Sequence, residues 1–313
     1  MNRPAHAIDS ARRCLASIEA DIAVAIPSCG EGIGILPLLE SLWDGMNVLG
    51  LEKAPIFLSD SSDDLTTVQA ARSWSKTSGA KLVIDHSDVR RSLKAALNVA
   101  IRWATTSVIV FVNADVVIPE FSLAALLVAL LETPDTEVAV GVALPDPRSR
   151  SFRRHAASFQ LRAAARVMDL SPPGIRSEGA FWGARRSFYK NYLFPEGSGS
   201  VADDVELVKA VTAGNHRGTT APRAIVYKIP SGTVGDFCLQ TRRSLASGKD
   251  IRKTGDSRRR LTAFLQESIH DPVGATLYSL YRVYCRIFAR RFDKVSNSET
   301  WEISESTRRQ ARG

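Results

Sequence analysis

The chain has 313 residues, 44% of them hydrophobic and 24% charged, a composition typical of a globular protein with one large domain and an extension. The formal net charge of +8 is uneven, because 16 basic residues face 9 acidic ones after Gly235 and the preceding part is almost balanced. This asymmetry excludes a uniformly basic protein and predicts an anionic partner for the C-terminal quarter.

The four cysteines are far apart and include no CxxC pair; they are Cys14, Cys29, Cys238 and Cys285. This spacing predicts neither a zinc site nor a disulfide framework, and it favours a reducing compartment. Residues 1–20 lack the unbroken apolar core of a signal peptide, and no apolar run is long enough to span a membrane. We therefore expect a cytoplasmic protein whose membrane contacts, if any, are at the surface.

Short apolar runs alternate with segments that repeat apolar residues at the helical period. We expect strands at 22–26, 55–58, 81–84, 107–112, 138–144 and 224–229, and helices at 1–20, 35–48, 65–77, 92–104, 121–131, 151–170 and 201–214. Residues 178–186 combine glycines with a tryptophan and do not read as a plain core strand. The alternation predicts an α/β fold with a mostly parallel central sheet and helices on both faces.

The run at 107–112 is the most strand-like segment of the chain, and it ends in Asn113-Ala-Asp115. In open α/β sheets, ligands bind outside the carboxyl ends of the strands. A carboxylate at that place suits a hard metal ion that also holds phosphate oxygens. Taken alone, one such aspartate more often marks a solvated turn after a buried strand.

Four polar loops follow apolar strands or precede a helix, at 27–31, 59–64, 113–115 and 203–204. With Lys94-Ala-Ala-Leu-Asn98 and Gln240-Thr-Arg-Arg243, their order and spacing resemble the family 2 glycosyltransferases of the GT-A fold. The resemblance extends over about residues 22–248. It implies a Rossmann-like GT-A catalytic domain at 21–250, preceded by an N-terminal helix at 1–20.

The resemblance implies a binding site for a nucleotide sugar, in which Glu31 and Asp60 hold the base and ribose and Lys94 pairs with the diphosphate. Asp115 would ligate Mg²⁺ or Mn²⁺ bridging the two phosphates. The structural alternatives are an Asx-turn at Asp60 and an exposed helix lysine at 94. The complete set of donor-binding residues that the resemblance implies is Pro27, Glu31, Asp60, Lys94, Asn113, Gln240 and Arg243.

The pair Asp203-Asp204 matches the family's catalytic acids, and the match puts the general base on Asp204. Such a base removes the proton of the acceptor hydroxyl in a single displacement that inverts the anomeric carbon. The alternative is that both residues are acids favoured by the helix dipole at an N-terminus. Ser244 replaces the family's aromatic residue, so Trp182, with Glu178 of the same segment, is the candidate acceptor contact, against a core tryptophan as the alternative.

Two departures from the family pattern concern the metal site. Asn113 stands where the family has an acid, which leaves this corner one charge short. Lys228 lies in a region where some relatives place a metal-binding histidine. The sequence therefore predicts Asp115 as the one retained metal ligand.

Residues 251–292 read as a basic amphipathic helical extension, helical from 261 to 292 with a break near Asp271-Pro272. An aromatic stripe runs beside a cationic one; the residues are Tyr281, Tyr284, Phe288 and Phe292, and Arg282, Arg286 and Arg290. This pairing suits the surface of an anionic membrane, whereas the alternative packs the aromatic stripe on the catalytic domain. Residues 293–313 are polar and predicted to be disordered, and no motif predicts a nucleic-acid partner.

The leading interpretation is an inverting, metal-dependent glycosyltransferase of the hexosyltransferase type. Its donor is a nucleotide-diphosphate sugar, with a UDP-sugar favoured, and its acceptor is a hydroxyl of a glycan or lipid-linked sugar, as in cell-surface polysaccharide biosynthesis. One alternative is a nucleotidyltransferase, for which Gly30-Glu-Gly-Ile-Gly34 is a weak glycine-rich loop. Others are a GT-A-fold binding protein without catalysis, suggested by Ser59, Asn113 and Ser244, and a nucleic-acid or membrane-binding module driven by the tail.

Overall fold

The computed structural model describes residues 3–17, 21–149, 151–169, 174–175, 180–196, 203–230, 232–238 and 257–288. Several sequence-based expectations fall outside these ranges. They are the roles of Glu178, Gln240 and Arg243, the side chain of Asp203, and the disordered tail at 293–313.

Eight strands form one sheet. Their bounds are β1 Ile22–Ser28, β2 Ile56–Asp60, β3 Leu82–His86, β4 Val108–Val112, β5 Val116–Val117, β6 Val138–Pro145, β7 Phe181–Arg185 and β8 Gly218–Lys228. Their order in the sheet is β3-β2-β1-β4-β7-β6-β8-β5. The six expected strands are all present, and β5 and β7 are additional.

Ten helices are described, and every expected helix is among them. Their bounds are α1 Arg3–Ser17, α2 Leu36–Leu49, α3 Thr66–Ser78, α4 Leu93–Trp103, α5 Ser122–Leu131, α6 His155–Asp169, α7 Arg186–Tyr189, α8 Asp203–Ala213, α9 Ser257–His270 and α10 Pro272–Phe288. Short 3-10 turns cover Gly32–Ile35 and Phe152–Arg154. The break predicted near residue 271 is therefore confirmed as the junction between α9 and α10.

The first four strands in chain order run parallel to one another, as expected. Strand β1 pairs in parallel with both β2 and β4, and β2 pairs in parallel with β3. Strand β7 is antiparallel to its neighbours β4 and β6. Because parallel strands end at the same edge, the loops after β1 to β4 meet along one side of the sheet, where ligands bind in open α/β folds.

The sheet is buried on both faces, which explains the nearly continuous apolar runs of its strands. On β1, Val24 and Ile26 point into a core shared with α2 and α5, whereas Ala25 lies in a second core shared with α4 and α8. Helix α1 joins the first core through Ala11 and Leu15 and packs against α5. The predicted architecture with helices on both faces is confirmed.

The segment at 178–186 was expected not to be a plain core strand, and that expectation is wrong. Residues Phe181–Arg185 form β7, which lies between β4 and β6 with its first four residues buried. A Cβ atom at Gly183 would lie 3.4 Å from the Leu130 side chain, an ordinary van der Waals contact. The glycine and the tryptophan of this segment are thus compatible with a buried strand that packs against α5.

The C-terminal helices α9 and α10 are fastened to α6 by ion pairs. Arg162 pairs with Glu267 and Asp271, Arg166 pairs with Glu267, and His155 Nε2 lies 2.8 Å from Asp271 Oδ1. Burial alone would raise the pKa of Glu267, but hydrogen bonds from Arg166 and Arg162 hold that pKa below its usual range. The arginines that the sequence placed among the alanines of α6 are thus structural partners of the C-terminal helices.

A disulfide joins Cys238 to Cys285 across 47 residues of sequence. The expectation that the cysteines form no disulfide is therefore wrong for this pair. The bond lies in a small core with Phe237 and Tyr281, whose ring centroids are 5.5 Å apart. Disulfides persist in oxidising compartments and are rare in the cytosol, so the bonded pair speaks against the reducing compartment inferred from cysteine spacing.

Among the described residues, no helix combines the length and the apolar character needed to cross a membrane. Helix α5 is uniformly apolar, but it has ten residues and is buried between the sheet and α1 and α2. Its apolar character thus reflects its place inside the domain.

Replacing Cys238 with serine is expected to lower the free energy of unfolding by about 2–4 kcal/mol, because the bond closes a long loop in the unfolded chain. Urea unfolding of the oxidised protein measures this loss, and Cys14→Ser, at a cysteine outside the disulfide, is the matched control. Equal losses in the two variants, or four titratable thiols in the oxidised protein, would contradict the pairing.

Candidate active site

Three polar side chains lie in register at the carboxyl ends of adjacent strands. Ser28 is paired with Asp60 across β1 and β2, and Asp60 is paired with His86 across β2 and β3. Beyond Ser28 the chain turns sharply, and Gly30 takes up a positive φ of 82° that favours glycine. The row Ser28–Asp60–His86 therefore follows directly from the parallel register.

Asp60 is completely buried, and four hydrogen-bond contacts surround its carboxylate. Its Oδ1 atom accepts from Ser28 Oγ at 3.0 Å and from Ser62 Oγ at 2.6 Å. Its Oδ2 atom accepts from His86 Nδ1 at 2.8 Å and from the Ser62 backbone N–H at 3.3 Å. A buried carboxylate is tolerated only when it is paired in this way.

These contacts correct the role expected for Asp60. Its oxygens hold the loop that follows β2 and the tip of β3, and the Ser62 N–H contact is the Asx-turn that the sequence left as the alternative. A side chain with no exposed surface cannot accept a hydrogen bond from a base or ribose in this conformation. The exposed end of the network is His86, whose side chain is 18% accessible.

Glu31 is half-buried beside this row. Its Oε2 atom accepts from Ser28 Oγ at 2.7 Å and from the Cys29 backbone N–H at 2.6 Å. Burial is the main cause that raises the pKa of Glu31 from 4.5 to about 7, and the negative charge of Asp115 raises it further. Glu31 and Asp115 therefore share one electrostatic environment.

The Ser28 hydroxyl lies between two carboxyl groups, Glu31 and Asp60. One hydroxyl carries a single proton and can donate to only one of them at a time. The hydrogen bond from Ser28 favours the charged form of Glu31 and therefore lowers the pKa of that carboxyl, whereas burial, the larger effect, raises it.

Asp115 reaches the site from the turn between β4 and β5. The short strand β5 pairs antiparallel with the end of β8, and this register sets Val116 opposite Lys228. Lys228 Nζ then lies 3.3 Å from Asp115 Oδ2, with both side chains 28% exposed. The lysine that departs from the family pattern is thus an ion-pair partner of the predicted metal ligand.

Asp115 is the candidate metal ligand of the part of the chain that the structure describes. No group of three or more His, Cys, Asp or Glu side chains among them is placed to hold a metal ion. Mg²⁺, however, commonly takes one or two carboxylates together with substrate phosphates and water. The partly exposed Asp115 fits a metal of that kind, held jointly with a bound diphosphate.

Helix α4 carries two residues of the predicted motifs. Lys94 in its first turn is only 8% exposed, so the alternative of an exposed helix lysine is wrong. Asn98 donates to the Phe194 carbonyl at 2.9 Å and to Glu196 Oε1 at 2.7 Å, and it accepts from the Phe194 N–H at 2.8 Å. Asn98 therefore anchors residues 194–196, which precede α8 in the sequence.

Asp204 lies in the first turn of α8, and its Oδ1 atom accepts from the Val205 N–H at 2.8 Å. Acidic side chains at this position are favoured by the helix dipole, as the structural alternative proposes. Leu207 and Val211 bury the helix against the second core. The role of Asp204 as general base stays a prediction.

Trp182 does not form the acceptor platform expected from the sequence. It is 1% exposed and stacks on Phe111 with ring centroids 4.0 Å apart. Because its position on β7 directs the ring into the second core, no acceptor sugar can stack on it. The alternative of a core tryptophan is correct.

The glycine-rich loop at 30–34 does not cradle phosphate in the described conformation. The Gly30 N–H donates to Ser62 Oγ at 2.6 Å, and the Gly32 N–H donates to Thr67 Oγ1 at 2.8 Å. A phosphate-binding loop presents such N–H groups to its ligand. The loop instead ties β1 to the residues that follow β2.

Pro27 and Asn113, which were predicted to bind the donor, have defined backbone positions in and beside the sheet. Pro27 is a buried residue of β1 opposite Ser59, and the Asn113 N–H donates to the Ala180 carbonyl at 2.9 Å.

Three polar residues of the site, His86, Ser28 and Ser62, were not predicted from the sequence. The available signal was their place just after or at the end of apolar strands, on the same edge as Asp60.

The sequence matches the family model described as Glycosyl transferase family 2 over residues 23–193. A mannosyltransferase from Pyrobaculum calidifontis, in complex with GDP-Man and Mn²⁺, superimposes with a TM-score of 0.59 at 20% identity, covering 91% of each chain. Glucosyl-3-phosphoglycerate synthase from Mycobacterium tuberculosis, with Mn²⁺, UDP and phosphoglyceric acid, gives a TM-score of 0.50 at 18% identity, covering 83% of this chain and 82% of that chain. These likenesses show a shared GT-A fold, and no curated protein sequence matches the chain.

The raised pKa of Glu31 predicts a specific pH dependence of stability. The folded state binds this proton more tightly than the unfolded state, so stability is lost as the pH rises from about 4.5 to about 7. The variant Glu31→Gln has no carboxyl to ionise and should not lose this stability. Its free energy of unfolding should exceed that of the wild type by on the order of 3 kcal/mol near pH 8 and differ little from it near pH 4.

Urea unfolding over this pH range measures the effect, and Glu52→Gln, at an exposed turn residue, is the matched control. Parallel stability profiles for the wild type and Glu31→Gln would show that Glu31 ionises normally in the folded protein.

Proposed function

Because the chain belongs to glycosyl transferase family 2, we propose that it transfers a sugar from a nucleotide-diphosphate donor to an acceptor hydroxyl, with inversion at the anomeric carbon. The supporting observation is the set of charged side chains, Glu31, Asp115 and Lys228, at one edge of the sheet. This edge is where parallel strands end and where donors bind in folds of this class.

The donor is proposed to be a nucleotide sugar, with UDP-sugars favoured. The related structures support this proposal, because one contains GDP-Man and another, of the glucosyl-3-phosphoglycerate synthase, contains UDP-Glc with a TM-score of 0.50 at 18% identity. In the present chain, two partly accessible polar side chains lie close to the buried Asp60 and could contact the donor. They are His86, at the end of β3, and Glu31, in the loop after β1. Gln240 and Arg243 remain proposed donor contacts from the sequence pattern.

Asp115 and the donor phosphates would together hold Mg²⁺ or Mn²⁺. When bound, such an ion supplies positive charge against the leaving diphosphate. Lys228 contributes a fixed positive charge at the same place, because its ammonium already lies against Asp115. This charge adds to the effect of Asn113, whose amide brings no negative charge, so the site beside Asp115 favours an anionic diphosphate.

Asp204 is proposed as the general base. Its carboxylate accepts the proton of the acceptor hydroxyl while the hydroxyl oxygen forms a bond to the anomeric carbon. The bond from that carbon to the phosphate oxygen breaks at the same time, and the nucleoside diphosphate leaves with the bonding electrons. One displacement of this kind inverts the anomeric configuration.

The acceptor is proposed to be a hydroxyl of a glycan or lipid-linked sugar, as in cell-surface polysaccharide biosynthesis. The basic C-terminal quarter supports an acceptor or partner at an anionic surface. The proposed location is the cytoplasmic face of a membrane. A Cys238–Cys285 bond would be unusual there, so the redox state of this pair in intact cells tests the location.

A nucleotidyltransferase is the less favoured candidate, since the N–H groups of Gly30 and Gly32 are used inside the protein. A binding protein without catalysis would retain donor binding but show no transfer. The following two experiments separate these cases.

A thermal-shift panel of UDP-, GDP-, dTDP- and CMP-sugars with and without Mn²⁺ tests the donor site. We expect one sugar nucleotide to stabilise the protein more strongly with Mn²⁺, and Asp115→Ala to abolish this metal-dependent part. Lys228→Ala should keep a metal-dependent shift but weaken nucleotide affinity about tenfold, because a hydrogen bond to a charged group is worth about 1.5 kcal/mol.

Asp44→Ala and Lys53→Ala are the matched controls, since both residues are exposed, one in α2 and the other in the turn before β2. If no nucleotide stabilises the wild type, or if Asp115→Ala keeps the full response to Mn²⁺, the proposed donor site is wrong.

Replacing Asp204 with asparagine should leave donor binding within about twofold and reduce sugar transfer by at least about a hundredfold, the usual contribution of a general base. Isothermal titration with the donor and a transfer assay measure the two effects separately. Glu206→Gln on the same helix is the control, and full transfer by Asp204→Asn would refute the assignment.

A further inference from the structure

Helices α9 and α10 carry an exposed apolar surface that the catalytic site does not use. Eight of the thirteen exposed large hydrophobic side chains among the described residues lie on these two helices. They are Leu261, Leu265, Ile269, Val273, Leu280, Val283, Tyr284 and Ile287, which are 42–80% exposed. We call these eight residues the outer apolar surface.

The spacing of these residues places them on one side of each helix. On α9, Leu261, Leu265 and Ile269 recur every four residues, and on α10, Val273, Leu280 and Ile287 recur every seven. Both intervals return to the same side of an α-helix. The pattern is that of an amphipathic helix whose apolar stripe is exposed to solvent.

The opposite side of α10 is already occupied. Tyr278 and Tyr281 contact Phe237 with ring centroids 5.9 Å and 5.5 Å apart, and Cys285 is bonded to Cys238. Tyr281 therefore packs on the domain, as the alternative to a membrane-facing aromatic stripe proposed. The outer apolar surface is mainly aliphatic, and only Tyr284 of the expected stripe is described as exposed.

Cations flank this apolar surface in the sequence. Residues 249–260 contain six basic and two acidic residues, residues 261–281 contain no Lys or Arg, and residues 282–294 contain five basic and one acidic residue. Arg258 is exposed and precedes Leu261 by three positions, so it continues the α9 stripe. Apolar residues bordered by arginines are the composition of helices that lie in an anionic membrane surface.

The charges beside the outer apolar surface favour one of its three possible binding partners. In a symmetric contact with a second copy of the chain, each surface meets an identical one, so the flanking arginines of both copies would be brought together. A nucleic acid would neutralise the arginines but would leave the aliphatic side chains without an apolar environment. An anionic bilayer supplies both an apolar layer and phosphate groups.

We propose that the outer apolar surface of α9 and α10 docks on an anionic lipid bilayer, with the aliphatic side chains at headgroup depth and Arg258 against lipid phosphate. The disulfide and the ion pairs to α6 couple this surface to the catalytic domain. Docking therefore carries the domain to the membrane surface, where the proposed lipid-linked acceptor would be located. This inference does not depend on the donor site or on Asp204.

Co-sedimentation of the full chain with vesicles tests the proposal. At low salt, the protein should bind vesicles containing phosphatidylglycerol at least about tenfold more tightly than pure phosphatidylcholine vesicles. The variant Leu265→Glu/Ile269→Glu/Leu280→Glu/Ile287→Glu should lose at least about tenfold of this binding, because four charges then enter the apolar layer.

The matched control is Lys53→Glu/Lys76→Glu, which changes the net charge by the same amount at exposed positions of the catalytic domain. Its vesicle binding should stay close to that of the wild type. Circular dichroism checks folding, and Leu265→Ala/Leu280→Ala, which adds no charge, should still weaken binding several-fold if the glutamate variant does not fold.

The proposal is overturned if the wild type does not bind anionic vesicles or if the aliphatic variants bind as well as the control. It is also overturned if the wild type is a dimer in sedimentation velocity, the aliphatic variants are monomers and vesicle binding is unchanged, since a second copy then covers the surface. Nucleotide stabilisation is measured in a separate assay, so failure of the donor site is distinguishable from failure of membrane docking.

Discussion

A single buried carboxylate, Asp60, holds together the edge of the sheet on which the candidate site is built. Leaving a buried charge unpaired is strongly unfavourable, so its four hydrogen-bond contacts from Ser28, Ser62 and His86 constrain three strand tips at once. The parallel register makes this possible, because it brings residues distant in sequence side by side. The loop that carries Glu31 and the exposed end of His86 both depend on this arrangement.

The other half of the site is organised by charge balance. Asn113 removes one negative charge from the metal corner, and Lys228 adds a positive one against the remaining carboxylate of Asp115. Glu31, whose pKa is raised to about 7 mainly by burial, carries only part of a negative charge near neutral pH. The corner is therefore more electropositive than a pair of carboxylates, which suits the binding of an anionic diphosphate.

The C-terminal helices illustrate how one element serves two environments. Their inner side is satisfied by ion pairs with α6, by aromatic contacts with Phe237 and by the Cys238–Cys285 bond. Glu267 is almost completely buried, yet two arginines keep it paired. Because the inner contacts already attach the helices, the apolar residues on the outer side are not needed for the fold and are available for a surface outside the protein.

The alternation of strands and helices, the break before Pro272, the GT-A fold and the family could all be predicted from the amino-acid sequence. Hydrophobic period, helix-breaking residues and motif order are patterns that can be recognised along the chain. Only the tertiary structure decided that β7 is a central strand with Trp182 in the core, that Asp60 is buried, that Cys238 bonds Cys285 and that Lys228 pairs with Asp115. Each of these depends on which face a residue takes or on contacts between distant segments. Neither is encoded in local spacing, since the same residues could lie in a core, a loop or a site until the sheet order is set.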